Sequence, residues 1–294
     1  MDILQSAIIT LRENALNAIT DTRISQTLNP TNDSNNAIEC ELTAELRLRL
    51  QEILAAAYRE EDGSVDYASL RVSASYAGYR TCAAQLNGFD PASLSRNEQL
   101  AFWINLYNAL VLDAVIALQV RRSVTEQLAG FKFFRQAAYR VGGQRVSCDD
   151  IEHGILRGNR GHPFLPGRQF RASDPRLKWA VARHDPRIHF ALNCASRSCP
   201  PIRVYAADLL ESQLETAAKH FITSETRISP EVNSLTLSSI FKWFQADFGG
   251  REGVMDFLLA HLPQDEKRAW LAQNRGSVRL RYAAYDWRLN GNHV

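Results

Sequence analysis

Residues 95–120, SRNEQLAFWINLYNALVLDAVIALQV, limit what this chain can fold into more than any other stretch. Ser95 followed three residues later by Glu98 reads as a capping box, each side chain satisfying a free backbone N–H at a helix start. From Leu100 to Leu118 apolar residues point in almost every direction, among them Phe102, Trp103, Ile104, Leu106, Leu110, Val111, Val115 and Ile116. A helix that is apolar all round has to be buried, and at roughly 20 residues it approaches the length of a membrane span. Asn105, Asn108 and Asp113 interrupt it. At about 100° per residue, Asn108 falls about 60° to one side of Asn105 and Asp113 about 80° to the other. The expectation is a buried helix, about 96–119, with one polar stripe. Each amide or carboxylate left unpaired in a core costs roughly 1–3 kcal/mol, so the stripe has partners. It either tethers loops as a structural network or lines an active site.

Around this rod, apolar spacing predicts helices over 2–20, 41–60, 67–86, 208–221 and 253–261. YRVGGQRVS (139–147) and RISPEVNSLTLS (227–238) read as hairpins, with Gly142-Gly143 and Asn233 at their turns. Arg187 to Leu192 is the best strand candidate, and the tail VRLRYAAYDWRLN (278–290) alternates well enough for another. The fold class is α+β: predominantly helical with a small antiparallel sheet. DTRISQTLNPTNDSNN (21–36) reads as a polar linker. The chain therefore divides into an N-terminal amphipathic helix and linker (1–36) and a single α+β domain (37–294). The first helix is a semi-detached arm that packs on the body or on a second copy, giving a homodimer.

A formal net charge of +2 leaves no strong field, so neither nucleic acid nor an anionic membrane is an expected partner. The polar stripe argues against membrane spanning. Asp2 stands where a secretory signal is basic, and Arg12 and Glu13 break the first apolar run. Five cysteines, an odd number in a chain large enough to fold without staples, point to reduced thiols and a cytoplasmic location. No phosphate loop, dinucleotide fingerprint, G-x-S-x-G or H-E-x-x-H is present, and no cofactor or metal is expected.

The densest chemical constellation is His189-x4-Cys194-x3-Ser198-Cys199-Pro200. One reading makes Cys194 or Cys199 a nucleophile and His189 or His153 its base, with Asn105, Asp113 or Glu152 holding the imidazole. Arg197 and Arg203 stand close enough in sequence to depress a thiol pKa. A second makes Cys194 and Cys199 a redox pair, although C-x4-C is not the C-x-x-C of thioredoxin-type turns. A third puts zinc on His189, Cys194, Cys199 and His153, on weak spacing. Plain burial of both cysteines as small hydrophobes is the bland alternative. His153 sits on a short helix (149–157) with Asp149 and Asp150 at its start and Glu152 and Arg157 beside it; His162 reads as a loop residue. Asp247 and Trp243, in FKWFQADF, read as an aromatic core patch with one polar partner.

LAFWINLYNAL (100–110), DIEHGILR (150–157), DPRIHFALNCASRSCPPIRVY (185–205), IFKWFQADFGG (240–250) and YDWRLN (285–290) together resemble the family known as domain of unknown function 547. The likeness runs from about residue 40 to 290. It implies a portable module, found in bacteria, plants and animals, and by analogy a papain-like or transglutaminase-like cysteine hydrolase. The family's Trp-Ile-Asn-x-Tyr-Asn falls on Trp103, Ile104, Asn105, Tyr107 and Asn108, its Ile-x-His on Ile151 and His153, and its Ser-x-Pro on Ser198 and Pro200. Two positions depart: Asp113 stands where many relatives have His, and Cys199 where plant-type members have Asp. The expected function is a cysteine- or serine-assisted hydrolase or acyl transferase acting on a small molecule or peptide. Its candidate catalytic residues are Cys194, Cys199, His189, His153, Asn105, Ser198 and Glu152, and its candidate binding residues Asn108, Trp103, Tyr107, Arg157 and Arg203. The alternative is a non-catalytic interaction module whose Asn/His/Ser network is structural.

Overall fold

The computed structural model describes residues 3–30 and 39–292; residues 31–36 of the expected linker lie outside the described residues. The chain opens with α1 (Ile3–Ile19), α2 (Glu39–Ala57), a small hairpin of β1 (Tyr58–Arg59) and β2 (Ser64–Val65), then α3 (Tyr67–Arg71) and α4 (Ala74–Ala83). Apolar spacing merges 67–86 into one helix, whereas the chain breaks it at Ser73. The Ser73 hydroxyl accepts the Tyr76 N–H at 3.1 Å, capping a new helix where the old one would continue.

The central rod is α5 (Arg96–Ala117), and every residue from Leu100 to Ile116 is buried. The Glu98 carboxylate accepts the Ser95 N–H at 2.9 Å, as the capping box requires. It is the one helix among the described residues long and apolar enough to cross a membrane, and 94% of its most apolar window is enclosed by protein. It is therefore a core rod, packed against α2 and α3 and against later elements of the chain. The fold is α+β and mostly helical, arranged about this buried helix.

After α6 (Phe131–Gln136), β3 (Ala138–Val141) and β4 (Gln144–Ser147) pair antiparallel through Gly142-Gly143, whose positive φ values of 53° and 75° suit glycine. Asp150–Leu156 follows as a π-helical turn, a winding frequent at functional sites. The strand expected over 187–192 is a 3₁₀ turn, Pro186–Phe190. Asp185 accepts the Arg187 N–H at 2.9 Å and Pro186 fills the first helical position, a start signal that overrides the β-like content of Ile188 and Phe190.

The last third builds a second apolar core from α7 (Leu210–Glu225), β5 (Arg227–Ser229), β6 (Ser234–Leu237), α8 (Ser239–Trp243), α9 (Gly250–His261), α10 (Glu266–Asn274) and β7 (Arg279–Tyr282). Asn233, at φ 47°, turns β5 into its antiparallel partner β6. β7 arrives by way of the three helices α8, α9 and α10 and pairs with β6 in parallel, as a long crossover allows. Residues 286–291 then run back over the body as a strap. Arg197 N–H bonds Arg288 O at 2.9 Å, Asn290 N–H bonds Ala195 O at 3.0 Å, and Val65 N–H bonds Asn290 O at 2.8 Å. A Cβ on Gly291 would stand 1.9 Å from Val65 O, so the strap closes on β2 only with glycine there.

α1 is tied to the body by polar contacts. Arg12 donates to Pro166 O at 2.7 Å, and Arg135 donates to Glu13 and Asn17 at 2.8 and 2.6 Å. Asn29 bonds Ala83 O and Arg140 N at 2.9 and 2.8 Å, so residues 21–30 are docked as well. The outer edge of α1 leaves Leu11 and Ile19 exposed.

Candidate active site

The stripe on α5 braces backbone. Asn105 donates to Tyr205 O at 2.7 Å and accepts the Tyr205 N–H at 2.9 Å, pairing its amide with a peptide unit 100 residues away. Asn108 does the same for the turn after the 3₁₀ segment, donating to Ala191 O at 3.0 Å and accepting the Asn193 N–H at 2.9 Å. Asn193 passes the support on, donating to Pro200 O at 2.7 Å and accepting the Ala195 N–H at 2.8 Å. Asp113 holds Tyr76, Tyr139 and Arg80. Asn105 pairs with the Tyr205 peptide and orients no imidazole among the described residues. Ser198 faces the strap, its hydroxyl accepting the Asp286 N–H at 2.8 Å. Trp103 is a core residue stacked near Trp179, and Arg203 lines a separate open groove between α2 and α7. These four do not reach the site described next.

What the Asn108–Asn193 relay positions is the loop 193–200 and its two half-buried thiols. Ala195, at φ 63°, turns the loop sharply, and the Cys194 and Cys199 sulfurs lie 2.6 Å apart. Cys199 Sγ also accepts the Cys194 backbone N–H at 3.0 Å and has the hydroxyls of Ser196 and Tyr285 at 3.3 Å. Burial pushes the Cys199 thiol up, but donation from Cys194, Ser196 and Tyr285 outweighs it and brings the thiol down to about 6. Cys194 moves well upward, first because its proton is held against Cys199 and then because it is buried. The donors converge on Cys199 and not on Cys194, so Cys199 is the sulfur of the pair that gives up its proton more readily.

Both sulfurs line a cleft of about 120 Å³ walled by Tyr107, Trp243, Phe244, Tyr285 and Trp287. The groove that takes Arg203 is larger, about 580 Å³, and among the described residues no cysteine or histidine lines it. Glu152 lines the cleft from the π-helical turn and accepts the Tyr107 hydroxyl at 3.1 Å. Burial, only partly countered by Arg157 and Tyr107, pushes its carboxyl up to about 7. His189 stacks on Phe244 with centroids 4.1 Å apart and directs Nε2 at Asp247 Oδ2, 2.9 Å away. Burial lowers its pKa despite that carboxylate. Burial would raise the Asp247 carboxyl, but bonds from His189 and Arg157 hold it well below the usual range. Arg157 bridges Asp247 and His153 Nδ1, the latter at 3.1 Å. With His189 committed to Asp247, the zinc set of His189, Cys194, Cys199 and His153 is not assembled. A different group, Asp149, His153 and His162, brings one ligating atom from each within 4.8 Å of the others.

Residues 91–222 match the family model described as "Protein of unknown function, DUF547". That stretch is a DUF547 domain. No curated protein and no solved structure matches the chain. The DUF547 stretch supplies Tyr107, Asp149, Glu152, His153, His162, His189 and both cysteines, while Trp243, Tyr285 and Trp287 line the cleft from beyond it and Asp247 holds His189. Sequence reasoning gathered Cys194, Cys199, Glu152, His153 and His189 but gave Asp247 only a core role and passed over Tyr285 and Asp149. FKWFQADF placed a lone carboxylate among four aromatic residues, and a carboxylate there needs a cationic or imidazole partner; that was the available signal.

Proposed function

We propose that the DUF547 domain is a cysteine acyl transferase or hydrolase, with Cys199 as nucleophile and Glu152 as proton carrier. One observation carries the reading: Cys199, with the Cys194 N–H and the Ser196 and Tyr285 hydroxyls at its sulfur, shares a small aromatic cleft with the buried Glu152 carboxyl, whose pKa is raised. Environments that drive two titratable groups past one another in this way mark an acid and a nucleophile. The thiolate attacks an acyl carbon, forming the C–S bond, and the bond to the leaving group breaks as Glu152 delivers its proton there. Water then attacks the thioester, Glu152 takes the proton back, and the acid and Cys199 are released. His189 and Asp247 fix the cleft wall that presents Phe244. The neutral Cys194 keeps a proton against the thiolate. A cytoplasmic setting belongs to this reading, since Cys82, Cys148, Cys194 and Cys199 are all unbridged.

The test is acylation by p-nitrophenyl acetate followed over pH. A bell with its limbs near 6 and 7, acetyl mass on the Cys199 peptide, and loss of acylation in Cys199→Ser support the reading. Acetyl on another residue, or no acyl-enzyme at any pH, refutes it. The 2.6 Å sulfur–sulfur distance favours a second use, thiol–disulfide exchange. There Cys199 attacks a substrate disulfide, expelling one thiolate, and Cys194 displaces the other, leaving a Cys194–Cys199 disulfide and a reduced substrate. A trapped mixed disulfide in Cys194→Ser distinguishes it. The exposed edge of α1 supports self-association, which sedimentation checks.

A further inference from the structure

Three side chains of the cleft have no part in that chemistry. Asp149, His153 and His162 converge to within 4.8 Å, and the two imidazoles stand edge to face with centroids 4.8 Å apart. Their types suit a metal ion; their protons do not. Arginine can only donate, so Arg157 Nη1, 3.1 Å from His153 Nδ1, makes that nitrogen an acceptor and puts the ring proton on Nε2. The Phe164 backbone N–H donates to His162 Nδ1 at 3.2 Å with the same consequence. A metal-binding imidazole needs the reverse arrangement, a bare nitrogen on the ion and its N–H given to a neighbouring acceptor.

Asp149 completes the group. It is 7% exposed, lines the cleft, and its carboxyl takes no hydrogen bond among the described residues; His153 Nε2 stops 3.9 Å short of it. Burial pushes that carboxyl up to about 8, so it too holds a proton at neutral pH. Burial also keeps both histidines neutral, His162 at about 4. Three groups without net charge face one gap, with the His153 Nε2–H and the Asp149 carboxyl proton available as donors. The cations that bear on these three groups, Arg157, Arg135 and Arg12, are already paired with Asp247 and Glu13, so an entering carboxylate would lose its hydration for little counter-charge.

The geometry points to a subsite for a neutral carbonyl oxygen, held by His153, His162 and Asp149. This rests on the acyl-transfer reading and names its substrate class, a small amide or ester rather than a free acid. The cleft's 120 Å³ and aromatic walls suit a flat group behind that carbonyl.

Benzamide, benzoate and Zn²⁺, each titrated by calorimetry into full-chain Cys199→Ser, test the subsite apart from the chemistry. A failure to bind there sinks the subsite even if the wild type forms an acyl-enzyme, and the converse result sinks only the nucleophile. Benzamide binds and benzoate binds more weakly. Asp149→Asn, which keeps an N–H donor, holds benzamide within about threefold, while Asp149→Leu weakens it about tenfold. ¹⁵N-histidine NMR of the protein with Asp149 and both imidazoles intact shows His153 and His162 as Nε2–H tautomers, a readout independent of how the Asp149 variants fold. Nδ1–H tautomers, Zn²⁺ seated on the Nε2 atoms, tighter benzoate, or no benzamide binding each overturn the assignment.

Discussion

Asn108→Ala isolates the link between the central helix and the thiol loop. Asn108 is 1% exposed and bonds Ala191 O at 3.0 Å and the Asn193 N–H at 2.9 Å, on residues themselves 0% and 3% exposed. Removing the amide leaves one buried C=O and one buried N–H without partners, each costing about 1–3 kcal/mol. Water entering the vacated space recovers part of this, so the expected loss is about 2–4 kcal/mol, a large share of a typical domain's stability. Because Asn193 in turn holds Pro200 O and the Ala195 N–H, the loop loosens, and Cys199 loses the backbone N–H from Cys194. Its thiol then climbs from about 6 toward the free-cysteine value of about 8.5. Urea unfolding reads the first effect and the pH midpoint of iodoacetamide labelling at Cys199 reads the second. Asn108→Leu fills the same space without the hydrogen bonds. If Leu restores wild-type stability, or if Ala costs under about 1 kcal/mol and leaves the midpoint in place, the bracing argument is wrong.

Glu152→Gln stabilises the protein above pH 7 and not below pH 4.5. The folded pKa is raised, so the native state holds a proton that the unfolded chain releases, and wild-type stability falls as pH rises from 4.5 to about 7. Thermal melts at pH 4 and pH 8 check this, with a gain of about 1–3 kcal/mol expected at the higher pH alone. Asp247→Asn leaves Arg157, whose side chain is 6% exposed, as a buried unmatched cation and costs about 3–5 kcal/mol at pH 7. The gap between variant and wild type narrows in denaturant titrations run below the ordinary Asp value of 3.8, where the depressed carboxyl's advantage is being lost. Gly154→Ala drives a Cβ to 2.3 Å from Phe170 and costs about 1–3 kcal/mol in chemical unfolding; an unchanged midpoint refutes the tight packing of the π-helical turn.

Local signals carried the helix ends and the hairpins. Ser95 with Glu98, Gly142-Gly143 and Asn233 each act through backbone a few residues away, so their effects can be read where they stand. The strand expected at 187–192 failed for the same kind of reason: Asp185-Pro186 is a helix start, and apolar content was weighed above it. The polar stripe was legible as needing partners, but the partners were not. Asn105 meets residue 205, and His189 meets Asp247 across 58 positions, and no spacing rule reaches that far. His153 was legible as a candidate from its neighbours, while its tautomer depends on Arg157 having been turned by Asp247, a fact of packing alone.

The strap over residues 286–291, with Tyr285 just before it, has a consequence for biosynthesis. Tyr285 and Trp287 form one wall of the cleft, and Tyr285 is a donor to Cys199. While a ribosome is still translating the stretch before residue 285, the nascent molecule holds Cys194 and Cys199 without that wall and with one donor fewer. Contacts between positions this remote, such as Val65 with Asn290, also form slowly because a long loop must close first. The surroundings of the thiols therefore mature last, and a molecule stalled or clipped short of residue 285 carries both thiols without the Tyr285 hydroxyl that helps lower the pKa of Cys199.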